Sequence, residues 1–172
     1  MATNHESSIS TNFKCVRYNG DVLYHPGFYI LKTIIENEWS IKQAANKLPY
    51  KTSLENKVDF LNKIISGEIN VNAVLAHDIA KAFGGSYLLW DHIQCAYTKA
   101  CLKIKIEKMF NDNPDKSFRL EEIYNEINYK GDPIVIHNYL IEMSKTQTIT
   151  KSIAFSEKEE SYIPIYKLNQ NA

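Results

Sequence analysis

The sequence is poor in cysteine and contains no long hydrophobic run. It has three cysteines, Cys15, Cys95 and Cys101, and no two of them form a C-x-x-C pair. The odd number and the spacing argue against a disulfide framework or a zinc site, so we expect reduced, buried or half-buried thiols. No apolar stretch approaches the roughly 18–20 residues that span a bilayer, and the N-terminus lacks the features of a signal peptide. We therefore expect a cytoplasmic protein with no membrane partner.

Motifs of the common enzyme classes are also missing. The chain contains no H-E-x-x-H, no Walker-type G-x-x-x-x-G-K, no G-x-G-x-x-G and no G-x-S-x-G. Two histidine–aspartate neighbours, His77-Asp78 and Asp91-His92, lie in predicted helices, where adjacent side chains point about 100° apart and cannot act as a pair. We expect no enzyme, no catalytic residue, no bound metal and no cofactor.

The patterning of the 172 residues predicts two small domains behind a polar tail, residues 1–11. Asn19-Gly20 between two β-prone runs predicts a hairpin, because both residues accept positive φ. Five helices should follow. Pro26 starts the first, which runs to about Asn37 with an Ile30, Leu31, Ile34 and Ile35 stripe. The second helix should span 41–48 after the N-cap Ser40, the third 54–66 after the N-cap Ser53, and the fourth 73–83. The fifth begins at Ser86. We expect Trp39 and Trp90 to be core residues.

Residues 101–172 have a different pattern. A helix to about Asn111, a short Phe118 segment, helices near 121–127 and from Pro133, and strands 148–155 and 161–168 follow in order. This is the order of a winged-helix domain. The fold class is therefore mainly α, with a five-helix domain at 12–100 and a small α+β winged-helix domain at 101–172.

Several segments of the first domain occur in a familiar order. His25-Pro26-Gly27 precedes Ile30 and Leu31, residues 40–48 form the next helix, Ile64-Ile65-Ser66-Gly67 ends another, and residues 69–97 complete the set. The set resembles the HigA-type antitoxins, a branch of the XRE helix-turn-helix repressors. The resemblance implies a homodimeric cytoplasmic repressor that binds an operator in double-stranded DNA, and in many members a small toxin as partner. It also implies that His25 packs or caps a helix.

Net charge is zero, with 20 basic and 20 acidic residues, so any DNA surface must concentrate its cations. Between Lys42 and Lys63 five lysines face two acids, Glu55 and Asp59. Asn56, Asp59 and Lys63 should share the outer face of the third helix, and Phe60 beside them suggests a thymine-methyl or a protein contact. The residues that we assign to DNA contact are Lys42, Gln43, Lys51, Asn56, Lys57, Asn62 and Lys63.

A protein-binding adaptor that has lost DNA affinity is the alternative function. The turn between the second and third helices is expanded by residues 49–53, whereas a compact helix-turn-helix has about 3–4 residues there. The wing, residues 156–160, is acidic, which is unfavourable near phosphates. Ile134, Asn138 and Ile141 should lie on the outer face of the last helix, and we assign them to a protein interface.

Overall fold

A computed structural model describes residues 14–156, 158–159 and 161–169 of the chain. The chain divides into two compact units between Ala100 and Cys101. The tail predicted for residues 1–11 lies outside the described residues. None of the helices in the described ranges has the length and apolar character needed to cross a membrane.

A two-stranded hairpin and a set of helices make up the first unit. The elements are β1 (Cys15–Tyr18), β2 (Asp21–Tyr24), α1 (Pro26–Glu36), α2 (Ile41–Asn46), α3 (Leu54–Ile65), α4 (Ala73–Phe83) and the start of α5 (Tyr87–Asp112). The predicted hairpin is confirmed, because Asn19 and Gly20 form its turn with φ values of 51° and 86°. Positive φ at both central residues is what a two-residue hairpin turn requires.

The core of the first unit joins all five helices, α1 to α5. Its fully buried side chains include Ile30 and Ile34 of α1, Leu61 of α3 and Ile79 of α4. One residue of the predicted apolar stripe of α1 is not in the core: Ile35 is exposed. It lies at the margin of the stripe, where a turn of 100° per residue points the side chain away from the neighbouring helix.

The second unit combines helices with a three-stranded antiparallel sheet. Its elements are the end of α5, β3 (Ser117–Arg119), α6 (Leu120–Glu126), α7 (Pro133–Lys145), β4 (Ile149–Ser156) and β5 (Ser161–Leu168). The strand order is β3-β5-β4, so β5 is central. The β5 residues 165–167 pair with β3, and Pro164 lies immediately outside this paired segment. A proline is tolerated there because no neighbour needs its missing N–H.

One core also fills the second unit. Phe110 of α5, Phe118 of β3, Ile123 of α6, Ile136 of α7 and Tyr166 of β5 are each fully buried in it. The Phe110 and Phe118 rings meet edge to face, with centroids 5.5 Å apart. The expectation of a mainly helical chain with a small helix-and-strand part is confirmed at this level of element content and order.

Two sequence predictions need correction. A fifth helix from Ser86 and a separate helix from Cys101 are in fact one helix, α5, of 26 residues. No glycine or proline lies between Ser86 and Asp112, so nothing in the chain interrupts the helical hydrogen bonds. The thiols are free, but Cys15 and Cys95 are exposed and Cys101 alone is half-buried.

Candidate nucleic-acid interface

Serine side chains set where α2 and α3 begin. The Ser40 hydroxyl accepts the N–H of Gln43 at 3.2 Å, and the Gln43 side chain accepts the N–H of Ser40 at 2.8 Å. This reciprocal capping box satisfies two backbone donors at the start of α2. The Ser53 hydroxyl accepts the N–H of Asn56 at 3.3 Å at the start of α3. Both predicted N-caps are confirmed, and they fix the first turns of α2 and α3.

The expanded turn between α2 and α3 is anchored by an aromatic side chain. Tyr50 is half-buried, and its ring meets the ring of Phe60 edge to face at 5.3 Å. Burial, together with a hydrogen bond to Asp78, raises the pKa of Tyr50 to about 12. Phe60 is half-buried, so part of its surface is used within the unit. The turn is therefore a packed segment whose outer residues have a defined position.

Three of the five lysines in this region are engaged within the unit. Lys57 donates from its ammonium to the Leu48 carbonyl oxygen at 2.8 Å. Lys63 pairs with Asp59 at 2.7 Å, and the Lys47 ammonium lies 3.9 Å from the Trp39 ring centroid. The Lys57 ammonium thus satisfies a backbone carbonyl just after the end of α2. This is a structural role, whereas the sequence predicted a DNA contact. The cationic surface is smaller than the count of lysines indicates.

Six of the seven predicted DNA contacts are exposed on α2, the turn and α3, and one of them, Lys63, is held in the ion pair with Asp59. We call the other five the α2–α3 polar face: Lys42, Gln43, Lys51, Asn56 and Asn62. Asn56 and Asn62 lie near the two margins of the exposed side of α3, and Asp59 lies between them by the rotation of 100° per residue. The hydrogen bond to Asp59 raises the pKa of Lys63, and the charges of this ion pair offset each other. Sequence patterning placed Asp59 on this face but did not identify its central position.

The three residues predicted to form a protein interface all lie on α7, but they differ in exposure. Ile134 and Asn138 are exposed, and Ile141 is half-buried. Glu142 of the same helix pairs with Lys103 of α5 at 3.3 Å. Ile134 therefore presents most of the apolar surface on the outer side of α7.

The histidine–aspartate neighbours have separate surroundings. The His77 ring stacks on Tyr87 with centroids 4.0 Å apart, while Asp78 is 4.0 Å from Lys81. The carboxylate of Asp91 lies 4.0 Å from the Cys95 sulfur. Within the ranges that the structure covers, no three histidine, cysteine, aspartate or glutamate side chains come together as a metal-binding group.

His25 is the buried histidine of the first unit, and it caps α1. Its Nδ1 accepts the N–H of Gly27 at 3.1 Å, and its ring meets Tyr97 edge to face at 5.3 Å. The prediction that His25 packs or caps is confirmed. Burial lowers the pKa of His25 from its ordinary value of 6.5. The Asn70 side chain opposes this shift, and the nearby Lys14 charge adds to it. The neutral ring is therefore the form that fits the fold.

We expect the free energy of unfolding to fall as the pH drops below about 6.5. The unfolded chain binds a proton at His25 in that range, whereas the folded chain binds it only at lower pH. The loss should level off below the folded pKa. Urea unfolding between about pH 7.5 and pH 5 measures this slope. His25→Asn keeps a capping acceptor without a titrating ring and should flatten it, and exposed His92→Asn is the control. Equal slopes for all three proteins would contradict the assignment.

Comparison with known proteins gives one distant similarity. No family model and no solved structure matches the chain. A curated arginine–tRNA ligase of Wigglesworthia glossinidia brevipalpis is 26% identical over 134 residues. That alignment covers 63% of this chain and 23% of the ligase. The chain therefore spans about a quarter of the length of the curated relative it matches.

Proposed function

We propose that this chain is a DNA-binding transcriptional regulator that contacts duplex DNA through the α2–α3 polar face. In this proposal the first unit is an XRE-type helix-turn-helix domain, the second is a winged-helix domain, and the protein acts without catalysis in the cytoplasm. The observation that supports it is an exposed side of α3 that is polar and follows two capped helix starts. Asparagine amides recognise adenine edges, and lysines bind phosphates.

Asp59 sets the main electrostatic limit on this surface. It holds the Lys63 ammonium and places a negative charge between Asn56 and Asn62. A carboxylate there repels phosphates, but it can accept a hydrogen bond from the N4 amine of cytosine in the major groove. The proposal therefore implies a low affinity for random DNA and a higher affinity for particular base sequences.

Binding to a random duplex by fluorescence anisotropy, with a salt titration, tests the proposal. Lys42→Glu/Lys51→Glu should weaken binding at least about tenfold and reduce the salt slope by about 2, one for each lost phosphate contact. Asp59→Asn should strengthen it, because it removes the central anion and releases Lys63. These exposed residues make no hydrogen bond that the fold needs, unlike Lys57, so both variants should stay folded.

Two matched controls accompany this test. One replaces the DNA duplex by an RNA duplex, and the other places a charge reversal on α1, outside the α2–α3 polar face. An RNA duplex of equal length should bind more weakly, because its narrow major groove does not admit a helix such as α3. Lys32→Glu, an exposed site on α1 whose lysine pairs with Glu36, should leave the affinity unchanged. Absence of any salt-dependent binding to DNA at low salt would contradict the proposal.

A protein-binding adaptor is the second candidate. The engagement of Lys47, Lys57 and Lys63 within the unit favours it, since only Lys42 and Lys51 remain to contact phosphates. A small toxin of the kind that the antitoxin resemblance implies would be one such partner. Normal folding of the wild type with no DNA affinity, and no gain from Asp59→Asn, would favour this candidate.

A further inference from the structure

The outer face of the three-stranded sheet lacks acidic side chains. Phe118 and Tyr166 are buried on the inner face, so the residues that alternate with them along β3 and β5 lie on the outer face. The three strands contain Arg119, Lys151 and Lys167 but no aspartate or glutamate, although the whole chain has zero net charge. Solvent-facing surfaces normally intersperse both signs of charge. The outer face is therefore suited to an anion.

Lys167 lies on this face between two residues that carry hydroxyl groups. Ser117 of β3 and Thr150 of β4 both pair with Lys167 of the central strand β5, so the three residues form one row across the sheet. The Cβ atoms of directly paired residues are about 5 Å apart. Ser152 lies two residues further along β4 and therefore on the same side of the sheet. The strand register thus brings three hydroxyls close to one lysine.

These four residues line one cavity. It has a volume of about 280 Å³, and its lining consists of Ser117, Thr150, Ser152, Lys167, Leu168 and Asn169. The Asn169 amide nitrogen donates to the Gln147 carbonyl oxygen at 3.0 Å, so it is already used at one end of the cavity. Within the described ranges, the Lys167 ammonium and the three hydroxyls have no hydrogen-bond or ion-pair partner. Four donor groups are therefore available to a ligand in this cavity.

We propose that this cavity binds a phosphate group. A phosphate presents at least three strong acceptor oxygens, and donors from three neighbouring strands can each reach a different oxygen. The Lys167 ammonium supplies the opposite charge, and hydrogen bonds between charged groups are stronger than neutral ones. A carboxylate has only two oxygens, both in one plane, and would match fewer of these donors. We call Ser117, Thr150, Ser152 and Lys167 the sheet phosphate site.

The nearby charges favour an anion beside Lys167. Arg119 lies opposite Ile165 on the same face, and its guanidinium pairs with Glu159 at 3.6 Å. This ion pair offsets the charge of Glu159, which belongs to the turn between β4 and β5. The Lys167 charge is not compensated by any carboxylate of the described residues. The site belongs to the second unit, so it does not rest on the function proposed for the α2–α3 polar face.

Titration of the isotope-labelled full chain with inorganic phosphate, followed by NMR at constant ionic strength, tests the site. The amide signals of Ser117, Thr150 and Lys167 should shift and saturate. Lys167→Gln should raise the dissociation constant at least about tenfold, because it removes a charge-assisted hydrogen bond. Lys151→Gln is the matched control, since it removes the same charge from the same sheet but at a residue paired with Tyr166 on the inner face. It should leave the constant unchanged.

Removal of a hydroxyl separates a specific site from general attraction to a lysine. Thr150→Val keeps the net charge and the β-branched shape, so the strand should persist, and circular dichroism checks the fold. The dissociation constant for inorganic phosphate should rise about three- to tenfold, the loss expected for one hydrogen bond. No saturable shift of the three amide signals, equal losses in Lys167→Gln and Lys151→Gln, or unchanged affinity in Thr150→Val would overturn the proposal.

A second titration identifies the source of the phosphate, which is either a small phosphorylated molecule or the backbone of a nucleic acid. The probe is a random DNA duplex. Weaker duplex binding in Lys167→Gln, with no change in Lys151→Gln, would assign the site to the nucleic-acid backbone. Duplex binding that neither variant changes, together with saturable binding of inorganic phosphate, would assign it to a small phosphorylated molecule.

Discussion

Gly27→Ala is expected to lower the free energy of unfolding of the first unit by about 3 kcal/mol. The start of α1 packs directly on the backbone at the end of α3. A Cβ atom on Gly27 would lie 2.7 Å from Cα of Ile65, and it would also collide with the carbonyl oxygen of Ile64. Backbone atoms cannot rotate aside as a flexible side chain can. The two helices must separate, which also disturbs the helix that carries the α2–α3 polar face.

Gly20→Ala provides the control for this experiment. Gly20 has φ of +86°, but no atom lies within 4 Å of the position of its added Cβ. The substitution should therefore cost only the strain of a left-handed conformation, about 1 kcal/mol. Urea unfolding of both variants separates steric collision from backbone strain. A Gly27→Ala protein as stable as Gly20→Ala would contradict the close packing of α1 on α3.

The His-Pro-Gly segment shows how much of the first unit could be predicted from sequence. Pro26 was predicted to start α1, and it occupies the first turn. The structure adds a separate reason for each neighbour. His25 caps the helix through Nδ1, and Gly27 is small enough for α3 to approach. The closeness of Gly27 to α3 depends on tertiary packing, which the pattern of a single sequence does not contain.

Local signals predicted element positions well where the chain itself determines them. Asn19-Gly20 fixed the hairpin turn, and Ser40 and Ser53 fixed two helix starts, because each acts on neighbouring backbone atoms. The domain boundary predicted at Cys101 coincides with the division into two units, but the helix break predicted there is wrong for the opposite reason. A change in composition does not interrupt backbone hydrogen bonds, so α5 continues through it.

The candidate site was harder to predict than the fold. Helical periodicity correctly placed Asn56, Asp59 and Lys63 on the exposed side of α3. It locates a Cα atom but not the end of a long side chain. The ammonium groups of Lys57 and Lys47 reach a carbonyl and an aromatic ring of neighbouring segments, and these contacts became visible only in three dimensions. The predicted lysine surplus was therefore correct as a count and too large as a surface.

Phe110→Ala is expected to destabilise the second unit by about 3–5 kcal/mol. Phe110 is fully buried and meets Phe118 edge to face, so truncation removes buried area and leaves a cavity that the sheet and helices cannot fill by small shifts. Whole domains are stable by only about 5–15 kcal/mol. The loss is thus large enough to populate unfolded forms of this unit, and chemical unfolding followed by circular dichroism measures it.

Phe155→Ala makes the same substitution at an exposed position of the second unit. Its ring is 56% exposed, so the free energy of unfolding should change by less than about 1 kcal/mol. The same chemical unfolding experiment therefore separates a buried aromatic ring from an exposed one. If Phe155→Ala destabilises the unit as strongly as Phe110→Ala does, the Phe155 ring contributes to the core and the assignment of the core to Phe110 and its neighbours is incomplete.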